Sequence, residues 1–465
     1  MADFRLISQY SMIVLAALLN LSPMSYDGNL INNLFLIQRF VNYYGINSST
    51  QGLIVAIVSI GSFVIGPFAG PIVDGIGRKR SMALGSSLSV ISVILQVSTR
   101  NVGALLFGRF LLGVAILVNI SSATSLVMEI AHPKHRGLLM GLLMSLVFCV
   151  NIFVNVAGLG EGIQPALSLF LIPFLPESPR WLIYKECRDE ALKILAQLHA
   201  GGDQDDSLVR TEYEEIIQTL EQERQTNGPW RALVRPASNL RRFTIAVLCA
   251  IFSQITGGYT IPYFQSLIIT NAGITVQRSV LLLALGISIW TWAAMLIGTA
   301  LVDKIGRKAL FLGGTSLMTV AIAFMAGFGY AYEQSGKASY ANGSVAMLFI
   351  FMGSMSSSWL VLSYMYPPEV LNFSQRAKGV GISQAIGYAF SATNQYVLPI
   401  AIARISWRYY AMVAGWNVVI ILVMAWLFIE TNKKTLEQVD QIFEGVEPAD
   451  QASAKGLEEP VVKKI

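Results

Sequence analysis

Two ionisable side chains stand inside long apolar runs, Asp27 within residues 12–34 and Arg109 within 103–127. A charge at the centre of a membrane helix costs about 2.5–3.5 kcal/mol on insertion scales, so such residues face a protein interior and pair. Counted from the ends of their runs at about 1.5 Å per residue, both lie roughly 10 Å deep. An ion pair between them is geometrically reasonable. A carboxylate held this way can take up and release a proton as its surroundings change. The alternatives are a purely structural pair, or an aspartate that reaches back to the surface.

A second set of charges recurs. Asp74-Gly75-Ile76-Gly77-Arg78-Lys79 returns as Asp303-Lys304-Ile305-Gly306-Arg307-Lys308. Glu129 has Arg136 seven residues on, and Glu369 has Arg376 at the same distance. Pro176-Glu177-Ser178, with Arg180 just beyond, is answered by Ile429-Glu430-Thr431. Paired signals in the same order indicate a duplicated unit. Charge-assisted bonds between such loops on opposing halves would hold one side of the molecule shut. The gating set is therefore Asp74, Arg78, Glu129, Arg136, Glu177, Arg180, Asp303, Arg307, Glu369 and Arg376. Positively charged loops alone would satisfy membrane topology, but topology does not require the matched acids.

Other chemistry is missing from the sequence. His132 and His135, three residues apart, sit in a basic loop with no carboxylate–His grid, and no nucleophile–base group or phosphate-binding loop stands out. No enzyme activity, cofactor or metal is expected. Three cysteines, Cys149, Cys187 and Cys249, make no disulfide framework.

The elements that must position these residues are membrane helices. The chain is 54% hydrophobic and 13% charged, against about 25% charged in an average soluble protein. Twelve spans are expected, at 12–34, 52–73, 81–99, 103–127, 138–160, 162–175, 243–268, 279–302, 309–330, 343–367, 379–401 and 409–429. The net charge of +5 sits in short loops, which speaks against nucleic acid and for the positive-inside rule. With both termini inside, 26 basic residues are cytoplasmic and six external, so that orientation is expected.

The domain plan is two six-helix halves, 1–175 and 243–429, a cytoplasmic helical linker at 176–242, and a cytoplasmic tail at 430–465. Ser178-Pro179 predicts one linker helix start, and Thr211 with Glu214 predicts a capping box for another. In the tail, Thr435 and Gln438 precede an amphipathic stripe of Leu436, Val439, Ile442 and Phe443. Possible glycosylation sequons at Asn47 and Asn342 fall in expected external loops.

At these residues the chain resembles the sugar porter family of the major facilitator superfamily, in particular its fungal hexose and lactose permease-type members. The loop signature matches Gly70, Asp74, Gly77, Arg78 and Lys79, then Asp303, Gly306, Arg307 and Lys308. Gly108, Arg109 and Gly113 match a span 4 motif, and Pro176 through Leu182 match the family's Pro-Glu-Ser-Pro-Arg-Trp-Leu throughout. In span 10, Trp359, Tyr366, Pro367, Glu369, Arg376 and Gly379 match. The tail motif is degraded to Ile429-Glu430-Thr431-Asn432, and Gly75 replaces a usual basic residue.

The resemblance implies an all-α, twelve-helix major facilitator fold with cytoplasmic linker helices. It also implies alternating access and a proton-coupling role for Asp27 and Arg109. For the substrate it points to Gln254 and Trp359, with Asn151 and Gln384 as further polar candidates. A sugar calls for amides that donate and accept and for an aromatic platform. Three expected amides are absent, at Met144, at Gly258 or Tyr259, and at Gly387.

The expected function is uptake of a sugar with protons, by a monomer in the bilayer of the plasma membrane. A non-transporting sugar receptor and an uncoupled facilitator are the alternatives. The halves differ in one length: Glu129 to Glu177 is 48 residues, whereas Glu369 to Glu430 is 61. The deficit falls on span 6, whose 14 residues at 162–175 reach about 21 Å against a hydrocarbon core of about 30 Å. A helix 6 that does not fully cross is expected, unless a small coding segment is missing.

Overall fold

In hydrocarbon no water is present to bond the backbone, so each spanning segment must satisfy its own N–H and C=O groups and becomes a helix. The computed structural model describes residues 2–98, 101–131, 143, 145–147, 149, 152, 163–226, 233–432 and 443. In the first half these form α1 (Ala2–Leu34), α2 (Gln38–Tyr44), α3 (Ser48–Ile76), α4 (Arg78–Ser98), α5 (Val102–Ile130) and α6 (Ile163–Leu171). The linker carries α7 (Pro179–Tyr184), α8 (Arg188–His199) and α9 (Ser207–Thr226). The second half holds α10 (Ala237–Ile255), α11 (Gln265–Asn271), α12 (Gln277–Ile305) and α13 (Arg307–Ser335). It closes with α14 (Ala338–Ser357), α15 (Trp359–Val370), α16 (Phe373–Ile405) and α17 (Trp407–Leu427). Seven segments among the described residues are long and apolar enough to cross a membrane, α14 with α15 counting as one.

Most of span 5, with Arg136, Met144 and Asn151, lies outside the described residues, as do His132, His135 and the tail positions 433–442. The side chains of Asp303 and Arg376 lie outside them too. The described part of helix 6 runs from Ile163 into a 3-10 turn at Ile172–Phe174. Its expected shortness turns on residues 153–162, which are also outside.

Two spans expected as single helices are broken. Helix 7 stops at Ile255, turns through Gly257 at φ +85°, and resumes as a 3-10 turn at Ile261–Phe264 followed by α11. The Thr260 amide donates to Gly257 at 3.2 Å instead of continuing the α-helical pattern. Gly257 and Gly258 are poor helix formers, and Pro262 has no amide hydrogen to donate. Helix 10 breaks at Ser358, between α14 and α15.

Two smaller expectations are corrected. Thr211 lies inside α9 and donates to the Ser207 carbonyl at 2.8 Å. The Asp206 carboxylate accepts from the Leu208 amide at the true helix start, because an aspartate one residue before Ser207 caps as well as a threonine. Asn342 lies in helix α14 rather than in a loop, with the hydroxyl-bearing Ser344 buried. At α7 the expected cap forms: the Ser178 hydroxyl accepts from the Trp181 amide.

The linker docks on the first half through His199. Its Nε2 lies 3.0 Å from the Ile130 carbonyl at the end of α5, and its Nδ1 lies 2.6 Å from Glu212 of α9. Phe443 packs at the same face, with the Arg242 guanidinium 4.4 Å from its ring centre.

The apolar clusters show where the halves meet. On the face opposite the linker, Ile31, Ile54, Val55 and Leu105 of the first half join the core of the second, beside Phe264 and Ile268. Toward the linker face, Ile13, Ala16, Ala17, Met82, Leu126 and Val127 form a separate core within the first half. Among the described residues the halves share an apolar core on the far side, and they also touch toward the linker side, where a Cβ at Gly66 of α3 would come 3.2 Å from Ala385 of α16 and Trp292 of α12 donates to Ser145 of the first half at 2.9 Å.

Candidate functional site

Two arrangements stand out, one at the linker face of each half and one inside the first half, on the side away from the linker. At the linker face of the first half, Arg78 Nε and Nη2 donate to Glu129 at 2.9 Å each, and its Nη1 lies 3.0 Å from Asp74. Glu177 Oε1 accepts from the Arg78 and Lys79 amides at 3.1 and 3.2 Å. That carboxylate sits on the N-terminus of α4, where free amides and the helix dipole favour an anion. Ser178 donates to Glu129, and Trp181 Nε1 donates to the Asp74 carbonyl. Arg180 is half-buried on α7 beside these groups.

The second half repeats the pattern. Arg307 Nη2 donates to Glu369 at 3.2 Å, and Glu430 accepts from the Arg307 and Lys308 amides at 2.8 and 3.0 Å. Thr431 donates to Glu369 at 2.6 Å in the place of Ser178. Even the backbone matches, with Gly77 at φ +97° and Gly306 at φ +99°. A Cβ there would lie 2.6 Å from Glu177 Oε2 in one case and 2.7 Å from Glu430 Oε2 in the other.

Every ion pair described for these residues lies within one half, and Arg136 and the side chains of Asp303 and Arg376, expected to bond the opposing halves in the outward-facing state, lie outside the described residues. The reason is geometric. Each arginine opens a helix whose neighbours in the same half end at its acids, so the partners are already adjacent.

Inside the first half, on the side away from the linker, Arg109 of α5 and Asp27 of α1 form a two-pronged pair. Nη1 to Oδ1 and Nη2 to Oδ2 are both 2.9 Å, and Arg109 Nε donates to the Ile54 carbonyl at 2.6 Å. Asp27 is 1% exposed and Arg109 2%. Tyr263, at the far end of the helix 7 break, lies within electrostatic reach of both. This joins the pair to the second half.

On α16, Gln384, Tyr388, Ser391 and Gln395 form one helical stripe. Ser59 of α3 donates to Gln395 at 2.9 Å and to Ser391 at 3.3 Å, so the stripe faces the first half. Gln254 Nε2 donates to Ser253 at 3.1 Å, and its Oε1 is buried without a protein partner. Tyr259 and Ser363 hydroxyls lie 2.8 Å apart, which ties the helix 7 break to α15.

Trp359 has the surroundings of a packing residue. It is fully buried, its indole donates to Thr315 at 2.9 Å, and its ring meets Phe311 edge-on at 4.8 Å. Tyr364, five residues on, faces the other way. It lies within electrostatic reach of Tyr259 and Tyr388, and is 44% exposed. The ring is thus nearly half open, although tyrosines of the helix 7 break and of α16 lie near it.

Tyr263, Tyr364 and Tyr388 were not legible as site residues. The available signal was the 500° that five residues subtend on a helix, which puts Tyr364 and Trp359 on different faces. Asn151, expected to contribute from span 5, is outside the described residues.

The missing amides also gain an explanation. A Cβ at Gly258 would come 3.0 Å from Met355, and one at Gly387 would come 3.3 Å from Ala250. Both glycines therefore serve close packing in this arrangement.

A family model described as "Sugar (and other) transporter" matches residues 12–443. A high-affinity glucose transporter of Kluyveromyces lactis is 28% identical over 452 residues, covering 90% of this chain and 82% of its own length. The glucose transporter GlcP of Staphylococcus epidermidis is 26% identical, covering 93% and 97%. Among solved structures, the proton:xylose symporter XylE bound to 6-bromo-6-deoxy-D-glucose superposes with a TM-score of 0.73 at 21% identity, covering 94% and 99%. The inward-open xylose transporter XylE from E. coli gives 0.75 at 18% identity, covering 94% and 99%. That likeness shows the twelve-helix fold.

Proposed function

This chain belongs to the sugar (and other) transporter family, a family of multi-pass membrane transporters and not of enzymes, and we propose that it imports a sugar together with protons by alternating access. The observation that carries the coupling is the buried Asp27–Arg109 pair of the first half, with Tyr263 of the second half within electrostatic reach. Protonating Asp27 removes the charge that holds Arg109, and a neutral carboxyl releases the first half from that bond. Binding of sugar between the halves and binding of the proton then favour the same rearrangement. The relatives named for glucose transport and the structural neighbour named a proton:xylose symporter support this reading.

On this reading the basic loops favour a linker face and both termini in the cytoplasm, with the molecule in the plasma membrane. In this reading Gln254 and Gln384 supply polar contacts to the sugar. The paired linker-face networks brace each half as a rigid body, so that the halves rock as units.

The test is uptake of a radiolabelled sugar panel in a transporter-null host, with and without a protonophore. Accumulation that collapses with the protonophore supports symport. Uptake that only equilibrates and ignores the protonophore supports a facilitator, and no uptake across the panel removes the transport reading.

A further inference from the structure

His199 closes α8 with an imidazole that is fully buried, although the helix lies on the linker face. Its Nδ1 is 2.6 Å from Glu212 Oε2 of α9, and its Nε2 is 3.0 Å from the Ile130 carbonyl at the end of α5. Both partners are oxygen acceptors. A neutral imidazole carries one N–H and serves only one of them. To make both bonds, the His199–Glu212 pair must hold one proton beyond neutral imidazole and carboxylate, whichever of the two it is assigned to.

Losing that proton leaves a ring lone pair facing either the Glu212 carboxylate or the Ile130 carbonyl, and a buried polar group goes unpaired. Other described charges on these elements point elsewhere or are already engaged. Glu214 and Glu215 of α9 are exposed, as are Arg188, Asp189, Glu190 and Lys193 of α8. At the end of α5, Glu129 is held by Arg78 and Ser178. Ile130 follows Glu129 directly, so the proton fastens the linker to the turn that carries the arginine network. Leu198, beside His199, is buried in the core of the first half.

We propose that His199 and Glu212 form a proton-operated clamp: with its proton the pair fastens α8 and α9 to the end of α5, and without it the linker comes away. The fastened form binds one proton more than the released form, so it is favoured as pH falls on the linker side. Where protons arrive there with sugar, transport itself tightens the clamp. That consequence alone rests on the proton-import reading above.

The test is amide hydrogen exchange of α8 and α9 in the full chain in nanodiscs, with rates corrected for the intrinsic pH dependence of exchange. It compares about pH 5.5 with about pH 9, which bracket the ordinary histidine range. Protection should fall on the order of tenfold at the higher pH, as loss of one charge-assisted bond implies. Glu212→Gln is the decisive variant. Its amide donates to Nδ1 of a neutral His199, whose Nε2–H still reaches Ile130, so both bonds form without the extra proton. This variant should stay protected at both pH values, whereas His199→Leu, which fills the space without bonds, should be equally unprotected at both. Equal protection of the unmodified chain at the two pH values would overturn the clamp. So would a Glu212→Gln chain that loses protection at the lower pH as His199→Leu does, the behaviour of a plain structural ion pair. The measurement needs no transport, so its failure leaves the import reading standing, and a failure of proton-coupled uptake leaves the clamp standing.

Discussion

In the first half Arg78 bridges to Glu129 while Glu177 caps α4; in the second Arg307 bridges to Glu369 while Glu430 caps α13. These linker-side networks agree residue by residue, down to the left-handed glycine before each arginine. The interiors differ. Helix α1 of the first half runs unbroken from Ala2 to Leu34 and carries Asp27, whereas its counterpart in the second half breaks after Ile255 and carries tyrosines. Duplication thus preserved what keeps each half rigid. The two interiors differ in content, the first holding a buried ion pair and the second several tyrosines.

The comparison can be tested where it should matter most. Asp27→Asn, which imitates the protonated state, should abolish concentrative uptake while leaving substrate exchange intact. Accumulation above the external concentration by this variant would mean that the first half does not carry the coupling. Arg109→Ala should be worse for folding, because it leaves a buried carboxylate unpaired at a cost of about 3–5 kcal/mol. Thermal unfolding should show that loss, and adding Asp27→Asn to the same chain should recover most of it.

Next in size are the paired glycines. Gly77→Ala and Gly306→Ala each force a left-handed residue and press a methyl group against a carboxylate, for about 1–3 kcal/mol. Equal losses in thermal stability are expected. A clear loss at only one of them would show that the networks look alike but do not carry equal weight.

Smaller effects separate packing from ligand contact within the second half. Trp359→Phe keeps a ring against Phe311 and gives up the bond to Thr315, so stability should fall by about 0.5–1.5 kcal/mol. Sugar affinity should stay the same, as measured by the apparent KM for uptake. Ser178→Ala and Thr431→Val remove matching hydroxyls from Glu129 and Glu369. Each should cost a similar 0.5–1.5 kcal/mol, and unequal losses would again break the symmetry.

How much was legible varies by kind of residue. Asp27 and Arg109 were legible because a charge in hydrocarbon must find a partner, and the two lie at one depth. The linker-side acids and arginines were legible because the motif occurs twice. Their pairing within each half was not, since spacing along the chain does not say which neighbouring loop an arginine will meet. Trp359 drew attention by its type, yet Tyr364 holds the open position. The helix 7 break was foreshadowed by Gly257, Gly258 and Pro262, but a membrane helix tolerates such residues when its neighbours satisfy the backbone.

The sequence by itself determined that this chain crosses a membrane many times, that its halves are duplicated, and which charges must be paired. Those properties follow from local burial cost and from repetition, which one dimension records. Only the tertiary structure decided that the halves share an apolar core on the side opposite the linker, that the described ion pairs of each network lie within one half, and that tyrosines from three places in the chain lie near one another. Each of these depends on how helices distant in sequence rotate and lean against one another. Side-chain packing sets that geometry, and a hydrophobic period leaves it open.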